Sequence, residues 1–366
     1  MDGAKGFPGI RRAKDRDYRG IVRHALCLRQ PRGACTRVNA IFRIARGAAN
    51  VHFESVPLVA DSSRTILREN PSRDLYYRWT VNPYRGCSAA CAFCCARNSH
   101  KYLERDPGAE FDNTIVIKPN AALLLRDAFE RDSWRGDTIT FSGVTDPYQA
   151  AEETERLTRQ CLEVCLAYRN PVRIVSKMSL IERDLDLLTA LHTEARCEVE
   201  ISLAFDDATA ALLEPRAPST TRRLQTMATL TAAGLSVGIM AAPVILGLND
   251  SQLPTLLEQA CAAGASRATW TAARIPPDMA QVFLDRLRAA MPERAEKILH
   301  LLRDSRAPKS SGEFHDRDEA VGPYALAVDA SLRATCQRLG LEMRGYRKWT
   351  DPPTVFRRPR AQLTLW

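Results

Sequence analysis

The stretch Val81-Asn82-Pro83-Tyr84-Arg85-Gly86-Cys87-Ser88-Ala89-Ala90-Cys91-Ala92-Phe93-Cys94-Cys95-Ala96-Arg97-Asn98 holds four of the chain's 11 cysteines. Cys87, Cys91 and Cys94 have the spacing Cys-x3-Cys-x2-Cys. Three thiolates on one short loop can bind a metal centre and leave one coordination position open. Soft thiolates select iron–sulfur clusters or zinc. Structural zinc takes four closed ligands, usually two Cys-x-x-Cys pairs or cysteines with histidine. No second pair exists here, and His100 is the conceivable fourth ligand. Cys95 cannot easily share a metal with Cys94, because adjacent side chains diverge. A three-cysteine cluster with one exposed iron fits the loop better, with Phe93 shielding it and Gly86 permitting the tight turn.

Outward from this loop the chain alternates between strand and helix patterns. Trp79–Val81 leads in as a strand, and Ala96–Leu103 begins a helix. Thr114–Ile117 is a short β-prone stretch and Ala121–Arg131 a helix. Strands follow at Thr138–Ser142, Val172–Lys177, Glu198–Phe205, Val237–Ile245 and Ala268–Ala273. Helices lie between them at Glu153–Tyr168, Arg183–Leu191, Thr220–Ala233 and Ser251–Ala263, the last with an Asn249/Asp250 cap. Six main strands alternating with helices predict an α/β protein with a parallel sheet covered by helices. Periodicity leaves open whether the sheet is a barrel, part of one, or an open doubly wound sheet. In either case the site belongs at the strand C-terminal ends, near Cys87, Gly143, Lys177, Phe205 and Gly247. Cys161, Cys165, Cys197, Cys261 and Cys336 sit in apolar patterns and read as core residues.

By composition residues 1–50 are expected to be a basic, disordered or loosely folded arm, 51–77 a lead-in and 78–274 the core. A helical extension occupies 275–343 (Asp278–Ala290, Pro292–Asp304 and Tyr324–Leu339), with a polar loop or lid at Ala307–Gly322. The tail 344–366 is basic and Pro-rich. The formal net charge is +9, yet residues 1–50 carry 12 Lys or Arg against 3 Asp or Glu, and the remainder carries 40 of each. The core is therefore electrically balanced, and the basic average does not by itself mark it as a nucleic-acid binder. The arm reads as a cationic tether for nucleic acid, as a solvated tail, or as an upstream extension that is not translated. The most apolar run, Gly234–Leu248, is too short to span a membrane and is broken by Pro243 and Gly247. An odd cysteine count without a secretory signal predicts a reducing, cytoplasmic setting.

The Cys-x3-Cys-x-aromatic-Cys loop after a first strand resembles the radical S-adenosylmethionine superfamily. Asn82-Pro83-Tyr84-Arg85-Gly86-Cys87, Ser142-Gly143-Val144-Thr145-Asp146-Pro147-Tyr148-Gln149, Glu214-Pro215-Arg216-Ala217-Pro218 and Pro243–Asp250 resemble its spore photoproduct lyase-like, DNA repair photolyase-like subgroup. The resemblance covers about residues 70–305 and the last few residues. It implies a partial parallel (β/α)6 barrel with a helical C-terminal extension. It also implies that Cys87, Cys91 and Cys94 hold a 4Fe–4S cluster whose fourth iron binds S-adenosylmethionine. The reduced cluster would cleave that cofactor to methionine and a 5′-deoxyadenosyl radical, which takes hydrogen from a substrate. Around the cofactor the resemblance places Phe93, the turn Ser142, Gly143, Thr145 and Asp146 for the methionine ammonium, and Lys177, Ser202 and Arg216 for carboxylate or ribose. An electron donor such as flavodoxin or ferredoxin is implied as a partner.

The chain departs from the subgroup in three places, one being the loop Ser88-Ala89-Ala90, which is plainer than usual. Spore photoproduct lyase carries a hydrogen-donating cysteine at the end of its second strand, where this chain reads Phe141-Ser142-Gly143. Thymine-dimer-type repair would lack its donor at that position. Cys95 stands where relatives commonly carry Tyr, either as a substitute hydrogen donor or as a variant packing residue. The terminal Gln362-Leu363-Thr364-Leu365-Trp366 is similar to the peptide by which bacterial repair proteins bind the sliding clamp. The leading expectation is a radical enzyme acting on nucleic acid. The alternatives are the same chemistry on a protein or small molecule, and a non-catalytic redox or zinc-binding protein.

Overall fold

A computed structural model describes residues 56–70, 77–273, 275, 277–304, 322–344 and 353–359. The arm 1–50, nearly all of the loop Ala307–Gly322 and the terminal pentapeptide lie outside these residues. Six parallel strands form the centre: β1 (Trp79–Val81), β2 (Ile139–Phe141), β3 (Val172–Ser176), β4 (Cys197–Ser202), β5 (Ser236–Val244) and β6 (Arg267–Ala272). They lie side by side in chain order. Two strands that the sequence patterns did not announce extend the row. Leu67–Glu69 pairs antiparallel with β1, and Glu342–Met343 pairs parallel with β6. The expected helical extension therefore ends in a strand of the main sheet. Ile115–Ile117 joins a separate sheet instead, between Leu58–Ala60 and Tyr84–Arg85. That small sheet steadies the backbone just before Gly86.

The two faces of the main sheet differ in chemistry. Ile139, Phe141, Val172, Ile174, Val199, Ile201, Val237 and Ile239 share one buried cluster with helix residues such as Leu125, Phe129, Leu162, Leu188, Leu230 and Leu257. Successive side chains alternate across a strand, so the opposite face carries Thr140, Arg173, Glu198, Glu200, Gly238 and Arg267, which register pairs across neighbouring strands. Arg173 and Arg344 both pair with Glu198, and Arg267 lies beside Glu200. These groups are almost fully buried, which is tolerable because each charge meets an opposite one. Burial raises the Glu198 pKa, but hydrogen bonds from Arg344 and the charges of Arg267 and Arg173 outweigh it and hold the carboxyl at about 2. Gly238 is required by this packing, since a Cβ there would lie 2.6 Å from Arg267 Cγ.

Two helix expectations need correction. The helix expected over Glu153–Tyr168 is divided into Glu152–Glu155 and Leu157–Ala167, with Arg156 between them at φ 52°. The buried Glu152 carboxylate accepts the Thr158 and Arg159 N–H groups at 2.8 and 3.1 Å. It thus satisfies the second helix's N-terminal donors, which makes the break affordable. Asn249 and Asp250 are not the cap of the fifth crossover helix, which begins at Leu253. Asn249 is fully buried and ties Ile245 N, Ala204 O and Pro243 O together. It fastens the end of β5 to the loop after β4. The tail also folds back in part, as Phe356 packs against Phe129 and Tyr168 and Arg358 donates to the Phe129 carbonyl.

Candidate active site

A cavity of about 420 Å³ opens at the C-terminal ends of the strands. The cysteine loop after β1 forms one wall with Cys87, Cys91, Phe93, Cys94 and Cys95. Ser142, Gly143, Thr145 and Asp146 follow β2, Lys177 follows β3, and Ser202 ends β4. The structure thus brings together every residue expected at the site except Arg216. That side chain is exposed and donates to Asn113 Oδ1 at 2.8 Å and to the Asp112 carbonyl on the outside of the loop. His100 is likewise absent from the cavity wall. It is buried against Phe111, its ring centroid 5.0 Å away.

The cysteine loop is held from both ends by residues whose role spacing did not reveal. The side-chain amide of Gln149 donates to the Gly86 carbonyl at 3.0 Å and accepts the Ser88 N–H at 3.1 Å. It therefore grips the backbone on both sides of Cys87. Thr145 donates to the Tyr84 carbonyl, and the Tyr84 hydroxyl donates to Glu152. Gly86 has φ 77°, and a Cβ there would sit 2.4 Å from the Thr114 carbonyl oxygen, so the turn excludes any side chain. At the other end the buried Arg97 guanidinium donates to the carbonyls of Cys91, Pro107 and Gly108 and to Asp112. Arg286, from the helix Pro277–Ala290, reaches the same Asp112 and the Ala90 carbonyl. The plain residues Ala89 and Ala90 lie buried beneath these contacts.

Asp146 is occupied by the protein itself. It accepts from Lys177 N and Ser176 Oγ, each at 2.8 Å, and from Tyr148 N at 2.9 Å. Burial pushes its pKa up, against those three donors. Lys177 extends over the cysteines, its Nζ 3.2 Å from Cys91 Sγ and 5.5 Å from the centroid of the Phe93 ring. It pairs with Glu214, which in turn accepts from Arg223. Burial raises the Glu214 pKa, yet the charges of Lys177 and Arg223 prevail and hold it at about 2. Glu214 lies in the motif from which sequence reasoning chose Arg216, two positions away; Arg223 and Arg286 carry no local signal.

Burial pushes all three cysteine thiols up, Cys91 to about 12 and Cys94 to about 11, with Lys177 opposing the shift at Cys91. A metal centre would have to displace those protons. No three His, Cys, Asp or Glu side chains among the described residues converge as one metal ion requires. Two buried thiols, Cys87 and Cys91, with the half-buried Cys94 along the same wall, would suit a polynuclear iron–sulfur cluster.

The radical SAM superfamily model matches residues 81–260. An uncharacterized protein of Mycobacterium tuberculosis is 37% identical over 263 residues, spanning 70% of this chain and 77% of its own. One from Methanocaldococcus jannaschii is 28% identical over 184 residues, covering 50% of this chain and 66% of that relative. The structure of spore photoproduct lyase complexed with dinucleoside spore photoproduct is similar to this one with a TM-score of 0.59. That match covers 78% of this chain and 81% of the lyase chain at 15% identity. The chain belongs to the radical SAM superfamily and is an enzyme of that class. Its superfamily implies a 4Fe–4S cluster and S-adenosylmethionine.

Proposed function

We propose that the enzyme acts on nucleic acid, in a DNA repair-like reaction, with a 4Fe–4S cluster held by Cys87, Cys91 and Cys94. The observation that carries this reading is that the three cysteines share one cavity at the strand ends. The similarity in fold to a lyase solved with a dinucleoside supports the substrate class. Together with S-adenosylmethionine, the cluster supplies reductive cleavage of a sulfonium bond and hydrogen abstraction from substrate. The chain's own residues then have defined tasks. Gln149 and Arg97 fix the loop, Phe93 shields it, and the Ser142–Asp146 turn offers backbone and hydroxyl oxygens to an ammonium. Ser202 faces a ribose and Lys177 a carboxylate. Cys95, which is exposed and lines the cavity, would return a hydrogen atom to the product in this reading.

Further parts of the reading are a partial (β/α)6 barrel, a cytoplasmic setting, a flavodoxin- or ferredoxin-type electron donor, and a clamp contact through Gln362–Trp366. Among the described residues no helix is long and apolar enough to cross a membrane. Anaerobic reconstitution tests the core of the proposal. About four irons per chain and release of 5′-deoxyadenosine with dithionite and S-adenosylmethionine are expected. Tight zinc binding without cofactor cleavage would overturn it. Deuterium transfer from labelled oligonucleotides into 5′-deoxyadenosine tests the substrate class, and transfer only from peptides or metabolites would redirect it.

A further inference from the structure

Lys177, Glu214 and Arg223 form a buried line of alternating charge that ends on a cysteine sulfur. Lys177 Nζ lies 3.2 Å from Cys91 Sγ and 2.5 Å from Glu214 Oε1. The side chains of Glu214 and Arg223 are each 1% exposed, and that of Lys177 is 12% exposed. Arg223 is itself fixed by the carbonyls of Pro218 and Ser202. The same segment meets the loop through its backbone, since Ala92 N donates to the Leu213 carbonyl at 2.8 Å. Glu214 Oε1 is 3.9 Å from Cys91 Sγ. A cation and an anion thus stand beside one thiol, in surroundings where screening by water is weak.

We propose that the Lys177–Glu214 pair, backed by Arg223, sets the electron affinity of the cluster from its Cys91 side. This rests on the reading that Cys87, Cys91 and Cys94 hold that cluster. Hydrogen bonds to cluster sulfurs and nearby net charge are the protein's main means of setting such potentials. One-electron reduction by dithionite adds a negative charge to the cluster. An ammonium donating to the Cys91 sulfur favours the reduced state, and the adjacent carboxylate opposes it. Glu214 has a second effect, because it holds the ammonium where it acts on the sulfur. Its other oxygen is taken by Arg223, so the carboxylate cannot swing toward the cavity. Lys177 is a positioning and charge-setting residue in this role.

The test is a mediated redox titration of the reconstituted protein without S-adenosylmethionine, followed by electron paramagnetic resonance, with iron content measured alongside. Glu214→Gln keeps an acceptor for Lys177 but removes the negative charge, so its midpoint potential should shift upward. Lys177→Met removes the cation and the bond to sulfur and should shift it downward. Lys177→Arg should stay near the parent. Lys177→Gln replaces the methionine variant if that variant binds no iron, and should also shift downward. Potentials of Glu214→Gln and Lys177→Met (or its Gln replacement) that match the parent, or that move in the same direction, would overturn the proposal while leaving the cluster reading intact. Failure of the parent to bind iron would remove the cluster reading and this inference with it.

Discussion

Replacing Arg97 by methionine should loosen the cysteine loop. The guanidinium is fully buried and donates to three carbonyls as well as to Asp112 at 2.5 Å. Methionine has a similar length but no donor. The change would leave the carbonyls of Pro107 and Gly108 without this partner, and Asp112 with Arg286 alone. Removing one partner of a buried ion pair costs roughly 3–5 kcal/mol. Asp112 keeps a second cation, which lowers that figure, while the abandoned carbonyls raise it again, so about 4 kcal/mol is expected. For a domain of this size that is a fall of roughly 8 °C in Tm. Lysine restores the charge but cannot reproduce the planar fork, and should recover less than half of the loss. Differential scanning fluorimetry of the protein before reconstitution measures stability apart from any cluster, and iron content after reconstitution measures the loop. Arg97→Met with the parent's Tm and iron content would refute the reasoning.

Gln149→Leu removes the two bonds that flank Cys87. It should lower Tm by several degrees, as expected for about 2–4 kcal/mol from two abandoned backbone groups, and reduce iron bound per chain; an unchanged iron content would show that the loop holds itself. Gly238→Ala drives a methyl against Arg267 Cγ and should cost about 1–3 kcal/mol, read by chemical denaturation; a neutral result would mean that Arg267 moves freely. Glu198→Gln addresses acid stability. Because the folded carboxyl titrates at about 2 and its ordinary value is 4.5, its contribution is complete above pH 4.5 and is lost as pH falls toward 2. The variant should be less stable near neutrality and lose less over that window, and denaturation curves for the two proteins that run parallel through it would contradict the pairing with Arg173 and Arg344.

The parts of this molecule that were legible in the sequence are those carried by local pattern. The six strands show as short apolar runs closed by turns, and three cysteines within eight residues mark the loop. What the sequence concealed is the partner of each polar residue. Arg216 is expected to bind a carboxylate because its planar guanidinium stands in a motif that resembles the subgroup's, yet that motif works through Glu214, whose partners lie 37 residues upstream and 9 downstream. Asn249 precedes a helix, as a cap would, but a buried amide joined to Ala204 O, 45 residues earlier, is a fastening between strand ends. Arg173, Glu198, Glu200 and Arg267 interrupt runs that otherwise read as wholly apolar strands. They become intelligible only when the register sets them side by side on the face opposite the apolar cluster.

Those concealed pairings explain why the motifs Asn82–Cys87 and Ser142–Gln149 occur together. The segment after β2 is needed to shape the segment after β1: Gln149 closes on Gly86 and Ser88, Thr145 on Tyr84, and Asp146 on the end of β3. The cysteine loop has no core of its own, because its cysteines line a cavity and its backbone bends sharply at Gly86. Its rigidity has to come from groups outside it, and a buried amide or guanidinium meets several backbone groups at once. Arg97 and Gln149 therefore do for the loop what neighbouring strands do for β1. On this reasoning the loop's geometry depends on bonds that exist before any metal arrives, which is why stability measured without iron and iron uptake measured afterwards should fall together in both variants.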